Sequence, residues 1–215
     1  KCRRYEALRE HIGIERIVSV GTSYGGMVAM AHAARYPQSV SKLLLIVTAA
    51  HFGFNARAQE IVAARGNAIE KEAARRLWAG ELTTEDAMRD FFRSTWSLYS
   101  TTFDESKRAK NEEALKRCIY SPDALNRAFA PGGFLQNYDL RPELANITAP
   151  TLILAGRHDW ICAPEFSEEI HSLIPGSRLK IFEKSSHSIR GDEPEEFHAT
   201  VRDFITRSEE HTSEL

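Results

Sequence analysis

Short apolar runs alternate with amphipathic stretches towards both ends of the chain. A continuous apolar run of a few residues is typical of a buried strand, and apolar positions three and four residues apart are typical of a helix. The runs predict strands over residues 13–20, 42–47, 151–155 and 178–183, and the amphipathic stretches predict helices over residues 4–11, 26–35, 165–173 and 194–205. Strands that alternate with helices form a parallel sheet, so the pattern predicts an α/β fold.

Residues 51–146 interrupt this alternation. They contain most of the aromatic side chains and have helical spacing, for example over residues 60–78 and 84–99. A helical insertion between two sheet strands is suited to covering a pocket, and we expect most of its aromatic side chains to form its own core. We therefore expect a core made of residues 1–50 and 147–206, and a helical cap made of residues 51–146.

The two ends of the chain differ from the rest. Residues 207–215 resemble the translation of a sequencing-adapter oligonucleotide, so we expect a non-native tail there and exclude it from the fold. The chain begins at Lys1 rather than at a methionine and enters a helix-like stretch at once, which predicts a fragment truncated at its N-terminus.

The charges of the chain are balanced. It has 28 basic and 30 acidic residues, and the tail contributes one arginine and three glutamates, so the remainder is formally neutral. A neutral chain gives no electrostatic reason to expect nucleic acid or an anionic membrane as a partner. No apolar run approaches the length of a membrane span.

Residue types that bind metals or cofactors lack a suitable spacing. Cys2, Cys118 and Cys162 are odd in number and scattered, so we expect reduced thiols and a cytoplasmic location. No cluster of histidine, cysteine and acidic residues has the spacing of metal ligands, and no glycine-rich loop could hold a phosphate. The sequence therefore predicts neither a metal nor a cofactor.

The segment Gly21-Thr22-Ser23-Tyr24-Gly25-Gly26 lies between a predicted strand and a predicted helix. A G-x-S-x-G pattern in this context predicts a nucleophile elbow, in which a serine occupies a sharp and strained turn. Glycines beside the serine would relieve the crowding of that turn. We therefore predict that Ser23 is a nucleophile and that the backbone N–H of Tyr24, at a helix N-terminus, stabilises an oxyanion.

A serine hydroxyl needs a base within hydrogen-bond reach and an acid that orients the base. Asp159 follows the predicted strand 151–155, whereas the competing position after strand 42–47 holds Thr48 and two alanines, with no carboxylate. His187 follows the last predicted strand, from which a loop can carry its imidazole over the elbow. The other histidines fit this role less well, because they lie within predicted helices, before the last strand or at the start of the cap: His32, His51, His158, His171 and His198.

Three blocks of this sequence resemble the signatures of the α/β-hydrolase superfamily, namely residues 21–26, 150–159 and 182–187. Residues 138–141 and 174–177 add a likeness to its proline iminopeptidase-like branch, and the resemblance covers nearly all of residues 1–206. It implies a partial α/β-hydrolase fold with a mostly parallel sheet and a helical cap insertion. It also implies Ser23 as nucleophile, His187 as general base and then acid, Asp159 as orienting carboxylate and Tyr24 as oxyanion donor.

The chain departs from the family pattern before the elbow. The His-Gly-rich loop that gives the family a second oxyanion donor is missing, and one such donor is worth on the order of 100-fold in rate. The strand ending at Val20 would also be an apolar sheet edge, which invites aggregation. We therefore expect this chain to be poorly soluble and nearly inactive, although its parent is an enzyme.

Two classes of function remain open. The first is a serine hydrolase, either a peptidase that releases an N-terminal residue or an esterase or amidase, acting on a small molecule or short peptide. The peptidase needs a cap carboxylate for the substrate ammonium, and the candidates are Glu60, Glu81, Glu85, Asp86 and Asp90.

Carbon–carbon bond hydrolysis and haloperoxidase-type chemistry use the same set of serine, aspartate and histidine, whereas haloalkane dehalogenases and most epoxide hydrolases have aspartate in place of Ser23. The second class is a small-molecule receptor with slow or no turnover; the oligomeric state is open.

Overall fold

The computed structural model describes residues 2–206, so the predicted tail lies outside the described residues. The described chain contains a parallel sheet whose strands follow one another in chain order. These strands are β1 (Ile17–Thr22), β2 (Val40–Ile46), β3 (Thr151–Gly156) and β4 (Arg178–Phe182). The predicted α/β architecture is thereby confirmed.

Helices connect the strands and fill the segment between β2 and β3. They are α1 (Cys2–His11), α2 (Tyr24–Arg35), α3 (Phe54–Arg65), α4 (Ala68–Trp78), α5 (Glu85–Tyr99), α6 (Arg108–Arg117), α7 (Pro122–Phe129), α8 (Pro164–Leu173), α9 (Ile189–Asp192) and α10 (Pro194–Thr206). Short 3₁₀ turns cover Pro37–Ser39, Glu105–Lys107, Phe134–Asn137 and Arg141–Asn146. Helices α3 to α7 lie within residues 51–146, hereafter the helical insert; its description as a separate cap stays a prediction.

The two faces of the sheet pack against different helices. Met30 of α2 is buried with Leu43 of β2 on one face, in a cluster that also includes residues of α8. On the other face Phe197 and Phe204 of α10 pack with Leu44 and other residues from β2 to β4. This is expected for parallel strands, whose two faces are both covered by crossover helices.

Strand β1 has one covered edge and one open edge in the described part of the chain. It pairs with β2 alone there, and the side chains of Val18 and Val20 are 39% and 51% exposed. They lie on the face that α10 covers further along the sheet, because Val20 is in register with Leu44. The predicted apolar edge is thus present, while the predicted insolubility remains a prediction.

The predicted strand over residues 13–20 was wrong at both ends. Gly13 has a φ of +70°, in the left-handed region, and ends the turn after α1. The guanidinium of Arg9 donates to the carbonyls of Ile14 and Glu15, so these groups are engaged before the sheet begins. The strand starts at Ile17 and continues into the glycine motif.

The predicted helix over residues 60–78 is two helices, α3 and α4. The helical spacing continues across the break, but Gly66 is extended and Asn67 starts a new helix. The Asn67 side chain accepts from the N–H of Glu70 at 3.0 Å, and the Glu70 carboxylate accepts from the N–H of Asn67 at 2.7 Å. This reciprocal capping box fixes the start of α4.

Helix α1 is joined to α2 through a buried carboxylate. Glu6 accepts from Arg9, lies 2.7 Å from Nε2 of His32 and accepts from the Ser39 hydroxyl at 2.9 Å. The hydrogen bonds from Arg9, followed by those from His32 and Ser39, hold the pKa of Glu6 at about 2, against the opposing effect of burial. His32 is therefore part of this contact rather than of a catalytic centre.

Candidate active site

Ser23 lies in the sharp turn between β1 and α2. Its backbone has φ 52° and ψ −121°, a conformation that costs energy for any residue except glycine. The Ser23 N–H donates to the carbonyl of Ile46 at 2.8 Å, and the hydroxyl of Thr48 donates to the Ser23 carbonyl at 2.8 Å. The end of β2 therefore holds the strained turn from both sides of the residue.

Two glycines of the motif are needed for steric reasons, and a third is not. A Cβ on Gly21 would collide with the carbonyl of Gly25, and a Cβ on Gly26 would lie 2.6 Å from the Cβ of Thr48. A Cβ on Gly25 would have no heavy atom within 4 Å. The close approach of α2 to β1 and to Thr48 therefore depends on Gly21 and Gly26.

Tyr24 is the first residue of α2, one position after Ser23. Its backbone N–H lies at the helix N-terminus, where the aligned peptide dipoles favour negative charge. Its ring contacts Phe134 of the helical insert edge to face, with the ring centroids 6.1 Å apart. The predicted oxyanion role of this N–H remains a prediction.

Asp159 and His187 are in direct contact. Nδ1 of His187 lies 2.8 Å from Oδ2 of Asp159, whose other oxygen accepts from the N–H groups of Ile161 at 2.8 Å and Cys162 at 3.0 Å. Because a carboxylate only accepts, the proton lies on Nδ1 and leaves Nε2 free to act as a base. Asp159 is 1% exposed, so its contact with the imidazole is shielded from water.

The surroundings of this pair are dry and negative. Tyr99 places its ring edge on His187, at a centroid distance of 5.7 Å, and packs against the buried Trp160. Burial, followed by the charge of Asp159, raises the pKa of Tyr99 and that of the Cys162 thiol above their usual ranges.

The three predicted residues follow different strands. Ser23 follows β1, Asp159 lies after β3 and His187 lies after β4, so all three are at the carboxyl edge of the sheet. Adjacent strands are about 4.8 Å apart, which puts β1 roughly 10 Å from β3. Among residues 2–206 the structure joins Asp159 to His187, but the Ser23 hydroxyl makes no hydrogen bond to either. Such bonds are often long in enzymes without substrate.

The remaining histidines have other contacts. Nδ1 of His171 lies 2.9 Å from the Ser177 hydroxyl, and His198 packs on the neighbouring Phe197 ring. His51 lies 3.2 Å from Glu169 and lines a cavity of about 630 Å³. Ser23, Asp159 and His187 are not among the residues that line this cavity.

The five candidate carboxylates of the insert are all engaged with arginines on exposed helix faces. The pairs are Glu60 with Arg57, Glu81 with Arg75, Glu85 and Asp86 with Arg89, and Asp90 with Arg93. Glu60 also lines the cavity next to His51. Exposed pairs of this kind contribute little to stability, so a substrate ammonium could compete for the carboxylate.

Sequence reasoning missed three residues that hold the site. Thr48 was noted only as lacking a carboxylate, yet it fixes the carbonyl of Ser23. Tyr99 was counted among the aromatics of the insert, yet it contacts His187. Asp192 follows His187 by five residues and binds the loop that carries it. An acidic residue so close to a candidate histidine was the one signal available.

Residues 2–206 contain neither a cluster of potential metal ligands nor a helix that could span a membrane. No group of three or more histidine, cysteine and acidic residues there could hold a metal ion. None of the helices in this part of the chain is long and apolar enough to cross a membrane. The cysteines Cys2, Cys118 and Cys162 are all free thiols.

The fold and the elbow define a class of protein. The family model of the alpha/beta hydrolase fold matches residues 2–194, and the chain belongs to this family. It is 28% identical over 204 residues to the proline iminopeptidase of Saccharolobus solfataricus, an alignment that covers 93% of this chain and 66% of that protein. It is 25% identical over 209 residues to the proline iminopeptidase of Lactobacillus acidophilus, covering 94% of this chain and 70% of that protein.

A solved structure agrees with this assignment. An alpha/beta fold family hydrolase from Bacillus anthracis str. Sterne is 26% identical to this chain, with a TM-score of 0.76 over 94% of this chain and 72% of that one. The chain thus spans about two thirds of the length of the curated relatives it matches. The predicted resemblance to the proline iminopeptidase-like branch is confirmed.

Proposed function

We propose that the protein to which this chain belongs is a serine hydrolase that works through an acyl-enzyme on Ser23. The observation that carries the proposal is the contact between the buried Asp159 and Nδ1 of His187, at the sheet edge where the strained Ser23 lies. Relatives that are named as proline iminopeptidases support a substrate with an N-terminal proline or a similar small apolar residue. An ester or amide of similar size is the alternative substrate.

Each residue has one task in the proposed reaction. The Ser23 oxygen attacks the carbonyl carbon while Nε2 of His187 accepts the hydroxyl proton, and Asp159 holds the imidazole in the required tautomer. The carbonyl oxygen becomes negative next to the N–H of Tyr24. His187 then gives its proton to the leaving amine or alcohol, and water releases the acyl group from Ser23 by the same steps in reverse order.

The nucleophile is tested with an alkyl fluorophosphonate. The Ser23 oxygen forms a bond to phosphorus, fluoride leaves, and His187 takes the proton, so one phosphonyl group is added per chain. We expect mass spectrometry to find it on Ser23 in the wild-type chain and nowhere in Ser23→Ala. Because labelling is read at its end point, it remains measurable even if the chain is slow. No labelling of the folded wild-type chain would contradict the proposal.

The orienting acid and the type of function need two further measurements. Asp159→Asn keeps the shape of the side chain but presents an amide to Nδ1, so labelling should slow by roughly 10⁴-fold. A prolyl arylamide and an aryl ester then distinguish peptidase from esterase by their relative rates of product release. Multiple turnovers that disappear in Ser23→Ala support the enzyme, whereas a single equivalent of product retained on the chain supports the receptor.

A further inference from the structure

Asp192 is a buried carboxylate with an unusual set of partners. It is 9% exposed, and no cationic side chain pairs with it among residues 2–206. One of its oxygens accepts from the N–H of Ser186 at 2.9 Å and the N–H of Thr101 at 3.2 Å. The other accepts from the hydroxyls of Ser100 and Thr102. A buried charge that lacks a counter-ion requires such donors, so Asp192 holds them together tightly.

These donors come from two distant segments of the chain. Ser186 belongs to the histidine loop, defined here as residues 184–188, which carries His187. The other three lie in residues 98–102, which comprise the last two residues of α5 and the turn that follows it. This segment belongs to the helical insert and is hereafter called the end of α5. Asp192 therefore joins the insert to the loop that carries the proposed base.

Further hydrogen bonds connect the same two segments without Asp192. The Ser186 hydroxyl donates to the carbonyl of Leu98, and the N–H of Ser188 donates to the carbonyl of Tyr99 at 2.9 Å. The Thr101 hydroxyl donates to the carbonyl of Lys184. The residues on either side of His187 are thus both bound to the end of α5, and the Tyr99 ring contacts the imidazole itself.

We propose that Asp192 is a positioning residue, which fixes the histidine loop against the end of α5 so that the helical insert sets the position of His187 relative to Ser23. The inference rests on the proposed role of His187 as the base. It assigns the insert a part in catalytic geometry in addition to any part in covering a pocket. Small displacements of a base from its nucleophile reduce reaction rates strongly, so loss of the contact should be measurable as a slower reaction of Ser23.

The chain offers a matched control next to Asp192. Glu193 also accepts from the histidine loop, namely from the N–H of Lys184 at 3.0 Å and from the Ser185 hydroxyl, but it has no hydrogen bond to the end of α5. Glu193→Gln therefore perturbs the same loop without releasing it from the insert. The double variant Ser100→Ala/Thr102→Val does the opposite, because it removes two insert donors and leaves Asp192 and the loop unchanged.

The first measurement is the kinetics of fluorophosphonate labelling in the 215-residue chain. We expect Asp192→Asn to lower the maximal labelling rate by roughly tenfold or more, with the probe concentration at half-maximal rate unchanged. The double variant of Ser100 and Thr102 should show a smaller loss of the same kind, and Glu193→Gln should stay within about twofold. Asp192→Glu, which retains the charge, should recover part of the loss. Equal losses in Asp192→Asn and Glu193→Gln would overturn the proposal.

The second measurement does not depend on activity. The Nδ1 proton of His187, bound to Asp159, should give a far-downfield NMR signal in the wild type that shifts or broadens in Asp192→Asn and remains in Glu193→Gln. Hydrogen exchange of the Ser186 and Ser188 amides should accelerate in the same variant only. If Ser23 is not labelled at all, the proposed function fails, and these signals still decide whether Asp192 positions the loop. If Asp192→Asn does not fold, the Ser100/Thr102 variant carries the test, and an unchanged signal and rate there refute the proposal.

Discussion

A pair of neighbouring glycines offers a direct test of the elbow geometry. A methyl group on Gly26 would lie 2.6 Å from both Cβ and Oγ1 of Thr48, whereas a methyl group on Gly25 would meet open space. Both residues lie in the first turn of α2, so alanine adds the same helix propensity at each, at most about 1 kcal/mol. The difference between the two variants therefore measures the steric contact.

The contact distance sets the size of the effect. Carbon atoms prefer separations of about 3.5–4.0 Å, so α2 and Thr48 must move apart by roughly 1 Å in Gly26→Ala. Overpacking of this kind costs about 1–3 kcal/mol. We therefore expect Gly26→Ala to lower the free energy of unfolding by about 1–3 kcal/mol and Gly25→Ala to leave it unchanged or raise it by up to about 1 kcal/mol.

Urea unfolding, followed by circular dichroism at low protein concentration, measures both values. The slope of the transition should not change, so the midpoints report stability. Thr48→Gly removes the side chain that Gly26→Ala meets. The double variant should therefore lose less free energy of unfolding than the two single variants lose together, by roughly 1 kcal/mol or more. Equal stabilities of Gly25→Ala and Gly26→Ala, or strict additivity with Thr48→Gly, would refute the steric argument.

Two further predictions concern α1 and the open edge of β1. The pKa of Glu6 in the folded chain is depressed to about 2, so its ionised form stabilises the fold by up to about 3 kcal/mol. This stabilisation is present above about pH 4.5 and is lost as the pH falls towards 2. Urea titrations at several pH values should therefore show that the difference in free energy of unfolding between wild type and Glu6→Gln shrinks over that range. Val20→Lys should raise the concentration at which light scattering begins, since a lysine blocks strand addition, while Leu8→Lys, at a side chain that is 54% exposed on α1, should not. Equal effects of the two lysines would point to general charge instead of the sheet edge.

The sheet could be predicted from the sequence because buried parallel strands leave a simple signal. The runs that became β2 and β3 are almost wholly apolar and are bounded by proline or polar residues. The break between α3 and α4 was missed because helical spacing continues through it and only the capping box of Asn67 interrupts the helix. Helix α6 lies in the predicted helical insert but its bounds could not be predicted, because Leu115 is its one buried side chain and leaves almost no apolar periodicity to detect.

The candidate site, like the fold, could be predicted from the sequence only in part. Ser23, Asp159 and His187 were nominated by their positions after strands, and the structure brings the last two into contact. The role of Thr48 depends on how closely α2 approaches β2, which no local pattern encodes. Three of the four partners of Asp192 lie about ninety residues earlier in the chain, and only the packing of the insert on the histidine loop brings them to it.

The order of the strands has a consequence for how the sheet closes during folding. Each strand pairs with the one before it in the chain, but residues 23–39 separate β1 from β2, whereas residues 47–150 separate β2 from β3. Closing a loop about six times longer costs only about 1.6 kcal/mol more in chain entropy. An insertion of this size therefore lowers the equilibrium stability of the fold only slightly through chain entropy. Exchange of helices α3 to α7 for other connections should therefore leave the parallel pairing of β2 with β3 intact. Each connection must still be long enough to return along the sheet to the start of β3, which takes about a dozen residues or more.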